Sequence, residues 1–347
     1  PKKSIIKVFG YDPKVNELNI KFFSGIVPQE NNLDQELSVI QNLIIYSKFY
    51  NISELDYSLL KKLTPAAGAP SVADVEKMIE RLFLDHFRGW GAVYYHPLHM
   101  ANYGREIASE LGLVAIMLHT DMPDTEKETL LIRFVQIGID LYGILINGGE
   151  KNWYGEAGHG QGRKWPILFA GLMLNDANMQ GIGQKSGAYL YSVGYGPENP
   201  PPDYLHFGMD DETFYVTTED VAITNSSSWN PDERSGQAYP YTNEMVGMPE
   251  WGIRHNKYPE QSDSAWYTIY RRCCTAMAWH SHILAALIMD AKDLWNHNAL
   301  FDYMDRYMAI TNGEPDPFGI SVQGVEAGWR SNNAWLETMW DMYRNDY

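Results

Sequence analysis

Apolar side chains recur at three-and-four spacing over much of the chain, the period of a helix with one buried face. Leu37, Ile40, Leu43 and Ile44 follow it in a helix that begins near Asp34. Ser71 stands where an N-cap belongs, ahead of Val75, Met78, Ile79, Leu82 and Phe83. Further helices are predicted at 101–118, at 125–143 behind Asp124, and at 163–174, 264–290, 296–310 and 328–344. Residues 1–35 lack the period and are broken by Gly10, Pro13, Gly25 and Pro28. The stretch 181–262 also lacks it, being dense in Gly, Pro, Asn, Ser and Asp; only 213–217 reads as a short strand. An irregular excursion of that length within a compact domain is usually functional.

Successive helices with alternating short and long connections predict stacked helical hairpins. The expected class is therefore all-α: an (α/α) toroid or barrel, a single catalytic domain over 1–347, with 181–262 lying over one end. Hydrophobic residues make up 45% of the chain, enough for a large core. No uninterrupted apolar run approaches the ~18 residues of a membrane span, and Pro1-Lys2-Lys3 opens no apolar signal segment.

The net charge of −17 argues against nucleic acid, which is bound through Lys and Arg. It also opposes a polyanionic substrate at long range, unless a local cluster such as Arg163, Lys164, Arg254, His255 and Lys257 dominates at contact. The 11 Trp and 23 Tyr supply rings of the kind that stack on sugars, though most belong to the core. The two cysteines are the neighbours Cys273 and Cys274. A bond between neighbours in a helix would be strained, so the pair reads as two buried thiols.

Three segments carry residues suited to chemistry. The first, 147–166, runs Asn-Gly-Gly-Glu-Lys-Asn-Trp-Tyr-Gly-Glu-Ala-Gly-His-Gly-Gln-Gly-Arg-Lys-Trp-Pro. Six glycines lie between 148 and 162 and admit left-handed or close-approach backbone. His159 falls among them, just before a helix opened by Arg163 to Pro166. It reads as a functional imidazole or as a capping or core histidine. No P-loop spacing is present. The second segment, 247–260, packs Arg254, His255, Asn256, Lys257 and Tyr258 together. A phenol beside a guanidinium has its ionised form favoured and can act as a base; otherwise the cluster ties down a loop. The third contains His96, His99 and Asn102; Pro97 makes a shared metal doubtful. Asn102 is an amide for a substrate carboxylate or a turn residue. The acidic run Asp210, Asp211, Glu212, Glu219 and Asp220 reads as a solvated face, or as the source of a general acid.

The runs at 136–140 (Gln-Ile-Gly-Ile-Asp), 158–171, 248–255 (Met-Pro-Glu-Trp-Gly-Ile-Arg-His) and 295–306 (Trp-Asn-His-Asn-Ala-Leu-Phe-Asp-Tyr-Met-Asp-Arg) together resemble bacterial α-toroid proteins of polysaccharide degradation. The family they resemble is polysaccharide lyase family 38, over roughly residues 90–344. The resemblance implies β-elimination on alginate or glucuronan, without a cofactor or metal, by a secreted or periplasmic protein. It implies catalytic roles, in chain order, for Asn102, His159, Arg254 and Tyr258, with Tyr154, Tyr267 and Tyr270 as rivals to Tyr258 and His255 as a helper. Asn147, Trp153, Tyr154, Glu156, Arg163 and Trp165 are then the substrate-binding candidates. Two other readings stay open. One is a glycoside hydrolase pairing Glu156 with Asp211 or Glu250. The other is a non-catalytic glycan-binding protein.

Overall fold

A computed structural model describes residues 55–80, 104–147, 160–185, 205–229, 239–253, 268–319 and 330–347. It also describes Lys7, Tyr11, Asp12, Val15, Trp153, Gly155, Gly158, His255, Ala327 and Gly328. The chain divides into two compact units, Pro1–Asp56 and Tyr57–Tyr347. All elements named below belong to the second. The fold is mostly helical, with 59% helix and 4% strand among the described residues.

The described elements are α1 Val72–Met78, α2 Gly104–Leu118, α3 Asp124–Ile146, α4 Lys164–Met173, α5 Ala177–Gln180, α6 Gly208–Asp211, β1 Thr213–Tyr215, α7 Thr218–Thr224, β2 Pro249–Trp251, α8 Thr268–Cys274, α9 His280–Ile288, α10 Lys292–Trp295, α11 Asn298–Thr311 and α12 Ala334–Tyr343. Local chemistry sets several of their ends. The Ser71 side chain accepts the Asp74 N–H at the start of α1, and Asn333 accepts the Trp335 and Leu336 N–H groups at the start of α12. Thr217 and Asp220 form a reciprocal capping box on α7. Buried Lys127 donates to the carbonyls of Leu118 (3.2 Å) and Thr120 (2.8 Å), satisfying the end of α2 from within α3.

The core is built by helix pairs that approach closely. α3 lies along α4, and α2 lies along α9. A side chain at Gly138 of α3 would run into the Pro166 carbonyl and the Ala170 Cβ of α4. Gly112 of α2 faces Ser281 of α9 in the same way. By length and composition alone, the 23 residues of α3 would cross a membrane. Its packing against α1, α2 and α4 is that of a core helix.

One predicted helix is divided. The period over 264–290 becomes α8, a 3-10 turn at Ala276–Ala278, and α9, because Thr275 leaves helical geometry (φ −136°, ψ −95°). Asn296, left-handed at φ 58°, separates α10 from α11. The excursion also contains more regular structure than its composition suggests: α6, β1, α7 and β2 all fall within 181–262. β1 and β2 pair antiparallel, with Thr213 opposite Trp251, Phe214 opposite Glu250 and Tyr215 opposite Pro249. The expectation of two buried thiols gives way to a bonded pair: the sulfurs of Cys273 and Cys274 are joined, and both residues are half-buried. They occupy the last two positions of α8, where the helix no longer dictates the path that follows. The helix expected near Asp34, the loop around 89–99 and the pair His96 and His99 lie outside the described residues.

Candidate functional site

The acidic run is the centre of the described site. Asp210, Asp211, Glu212 and Asp220 are buried, which corrects the expectation of a solvated face; Glu219 alone of the five is exposed. Phe207, Met209, Phe214 and Val216 flank the run and are buried with it. Carboxylates enclosed in this way require partners, and each has them.

Asp210 lies 2.5 Å from Lys164 Nζ at the start of α4 and accepts the Trp295 indole N–H at 2.8 Å. Lys164 also donates to the Trp295 carbonyl at 2.6 Å. Burial holds the Lys164 ammonium below its ordinary pKa, with Asp210 opposing the shift. Asp211 accepts the Gly155 backbone N–H at 3.0 Å and faces His206 Nδ1 at 3.0 Å. Glu212 accepts the Trp251 indole N–H at 2.9 Å, and its own carbonyl accepts the Gly252 N–H at 2.9 Å. Three consecutive residues thus grip α4 with α10, the glycine-rich loop, and β2.

Glu250 of β2 sits in a second buried network. It is ion-paired with Arg271 of α8 and lies 3.4 Å from Arg306 of α11. Arg306 in turn holds Asp316 (2.8 Å) and the Pro249 carbonyl (2.9 Å). Burial draws the Arg271 guanidinium down, but Glu250 outweighs it and the pKa ends above its ordinary value. The Tyr303 hydroxyl is pushed up to about 12, mainly by burial. His297 reaches Thr213 Oγ1 (2.8 Å) and the Thr213 carbonyl (2.9 Å), fastening α11 to β1; burial holds its pKa below the ordinary histidine value.

Three glycines of the glycine-rich loop are closely packed. Gly160 and Gly162 have φ of 66° and 78°. A Cβ at Gly160 would lie 2.5 Å from the Trp153 carbonyl oxygen, and one at Gly162 would lie 2.8 Å from Ala108 Cα of α2. A Cβ at Gly155 would lie 2.7 Å from Glu212 Cγ. Glycine is required here both for left-handed backbone and for close approach.

Several predicted residues have packing positions. The Trp165 indole has no exposed surface; it stacks on Trp295 and meets Phe169 edge-on. Trp153 is buried against Phe207. A ring with no open face cannot stack on a sugar, so both belong to the support of the site. Arg163 and Lys164 are buried as well, with Arg163 donating to the Gln161 carbonyl, so neither contributes to a surface basic patch. His255 is buried, stacked on Phe214 and 3.8 Å from Asp220. Its packing is interior, so it is not open to a substrate. Asn147 is exposed at the end of α3, where its amide donates to the Gly143 carbonyl at 2.7 Å. Asn102, His159, Arg254, Tyr258, Tyr154 and Glu156 lie outside the described residues.

Arg271, Arg306 and His297 were not singled out as site residues by the sequence, and Lys164 was read only as part of a basic contact cluster. The one available signal was the apolar flanks of the acidic run, which mark a buried segment whose charges need partners. No group of three or more His, Cys, Asp or Glu suited to a metal occurs among the described residues. No family model matches the chain, and no curated protein or solved structure matches it.

Proposed function

We propose that this protein is a lyase cleaving a uronic-acid polysaccharide of the alginate or glucuronan type by β-elimination, on an (α/α) toroid. The observation that carries the reading is the convergence of two distant segments on one buried turn. Gly155, four residues before His159, is bound to Asp211. Trp251 and Gly252, just before Arg254, are bound to Glu212. The two stretches whose residue types suit elimination are therefore anchored to adjacent residues of the same rigid element. A site that acts on developing charge requires such preorganisation.

In the proposed reaction, Asn102, His159 and Arg254 neutralise the uronate carboxylate, which acidifies the C5 proton. Tyr258 removes that proton and returns one to the leaving glycosidic oxygen as the C4–O bond breaks. The product carries a C4–C5 double bond. Tyr154, Glu156 and Asn147 contact the flanking sugars. His255, stacked on Phe214, supports the site from within the fold.

The hydrolase reading has less support. A general acid must meet the glycosidic oxygen. Asp211 is committed to Gly155 and His206, and Glu250 to two arginines, and both are buried.

The test is ultraviolet absorbance of the unsaturated product after mixing the protein with alginate, glucuronan and other uronate polymers. A rise that disappears in His159→Ala and Tyr258→Phe is expected. New reducing ends without absorbance would replace elimination by hydrolysis, and no change on any polymer would overturn the enzymatic reading.

A further inference from the structure

We propose that the bonded pair Cys273–Cys274 is a thiol–disulfide exchange site, reducible by a small dithiol in the folded protein and coupled to the ribbon beneath the candidate site. Three observations place it there. The sulfurs are joined, and both residues are half-buried rather than enclosed. Guanidinium groups adjoin them in the fold: Arg271 and Arg272 precede the pair, and Arg105 of α2, itself paired with Glu106, donates to the Cys273 carbonyl. That carbonyl belongs to the peptide that the disulfide closes into a small ring.

The third observation is the line of contact to the site. Arg271, two residues before Cys273, is paired with Glu250 of β2 and lies over the Trp251 ring, 5.3 Å from its centroid. Arg105 ties the other side of the pair to α2. The disulfide thus closes the end of the short helix that supplies Arg271. Opening it releases the turn between Cys273 and Thr275 and loosens the hold of Arg271 on Glu250.

The chemistry balances with a dithiol reductant. One thiolate of the dithiol attacks a protein sulfur and the S–S bond breaks. The second thiol then displaces the protein sulfur, leaving a cyclic disulfide of the reagent and two protein thiols. Two electrons and two protons pass to the protein. The adjacent thiols so formed can chelate a trivalent arsenical: two As–S bonds form and the arsenic-bound oxygen leaves as water.

The experiment uses the whole protein without denaturant and needs no polysaccharide, so it stands or falls separately from the lyase reading. Intact mass after iodoacetamide is expected to show no added alkyl group. After brief dithiothreitol treatment and removal of the reagent it is expected to show two, and phenylarsine oxide added at that point, before the alkylating agent, is expected to block both. Hydrogen exchange at 249–253 and 268–275 is expected to quicken on reduction, and the Cys273→Ser, Cys274→Ser double variant should reproduce that pattern. Two alkylations without reductant would overturn the bonded pair. Alkylation only after denaturation would overturn its reactivity in the folded state. Unchanged exchange at 249–253 would overturn the coupling to the ribbon.

Discussion

The Gly155 backbone N–H donates to Asp211 across 3.0 Å, joining a loop to an acidic turn 56 residues further along the chain. That peptide group is buried against a carboxylate, and further along the loop Gly160 and Gly162 closely approach Trp153 and Ala108. Asp211→Ala removes the acceptor and also frees His206 from its partner. Faster hydrogen exchange across 153–163 is expected, with a stability loss of about 1–3 kcal/mol for the stranded donor. Exchange that stays unchanged would show that the glycine contacts alone hold the loop.

Gly160→Ala tests those glycine contacts. The substitution places a Cβ on left-handed backbone, at a cost of about 1–2 kcal/mol, and against the Trp153 carbonyl as well. Urea denaturation should therefore show a larger loss than the backbone term alone. A near-neutral result would mean that the loop relaxes freely away from Trp153.

Lys164 and Asp210 are both enclosed, so removing one strands the other. Lys164→Met is expected to cost about 3–5 kcal/mol, as for other broken buried pairs. Adding Asp210→Asn should recover part of that loss, since the uncompensated charge is then gone. The comparison of single and double variants by denaturant unfolding reads the coupling directly. A double variant as unstable as the sum of the two singles would show that they act independently.

Stability should fall in acid through buried histidines. Burial first, and then the Lys127 charge, push His119 down to about 3; burial and the Arg330 charge push His280 to about 3; burial pushes His282 to about 4. These rings are neutral in the folded protein, whereas in the unfolded chain they bind protons below about 6.5. Between those limits the unfolded state holds more protons, so stability decreases as pH falls from about 6.5 toward 3–4. Each ring contributes up to about 1.4 kcal/mol per pH unit. Urea midpoints measured between pH 8 and pH 5 should be level at first and then decline, with a shallower decline in His119→Asn.

Among the described residues the buried acids Asp210, Asp211, Glu212, Asp220 and Glu250 are nearly matched by the buried bases Lys127, Arg163, Lys164, Arg271, Arg306 and Arg330. Burial therefore leaves the acidic excess of the described residues at positions that are not buried. On the proposed reading, a polyuronate is repelled at long range. Raising the salt concentration shortens that repulsion, so kcat/KM on alginate or glucuronan should rise with moderate salt. A steep fall instead would reveal a basic contact surface that outweighs the net charge.

Helical periodicity was legible because it depends on neighbours along the chain. Ser71 as a cap, Asp124 as the start of α3, and the helix through Trp165 and Phe169 all follow from local spacing and local hydrogen bonding. The break at Thr275 was not legible, since threonine does not forbid a helix and the surrounding packing decides its path. The same limit applies to Trp153 and Trp165. An aromatic in a glycine-rich motif reads alike whether it faces a sugar or Phe207 and Trp295.

The chain by itself determined its mostly helical class. This follows from short-range periodicity, backbone preference and residue type. The tertiary structure alone decided that the acidic run turns inward, that Lys164, Arg271 and Arg306 neutralise the core beneath it, and that Cys273 and Cys274 are bonded. A carboxylate's partner is chosen by distance in space, and Asp210 and Lys164 are separated by 46 residues of sequence. Only the folded chain brings such charges close enough, and excludes enough water, to make each other's burial tolerable.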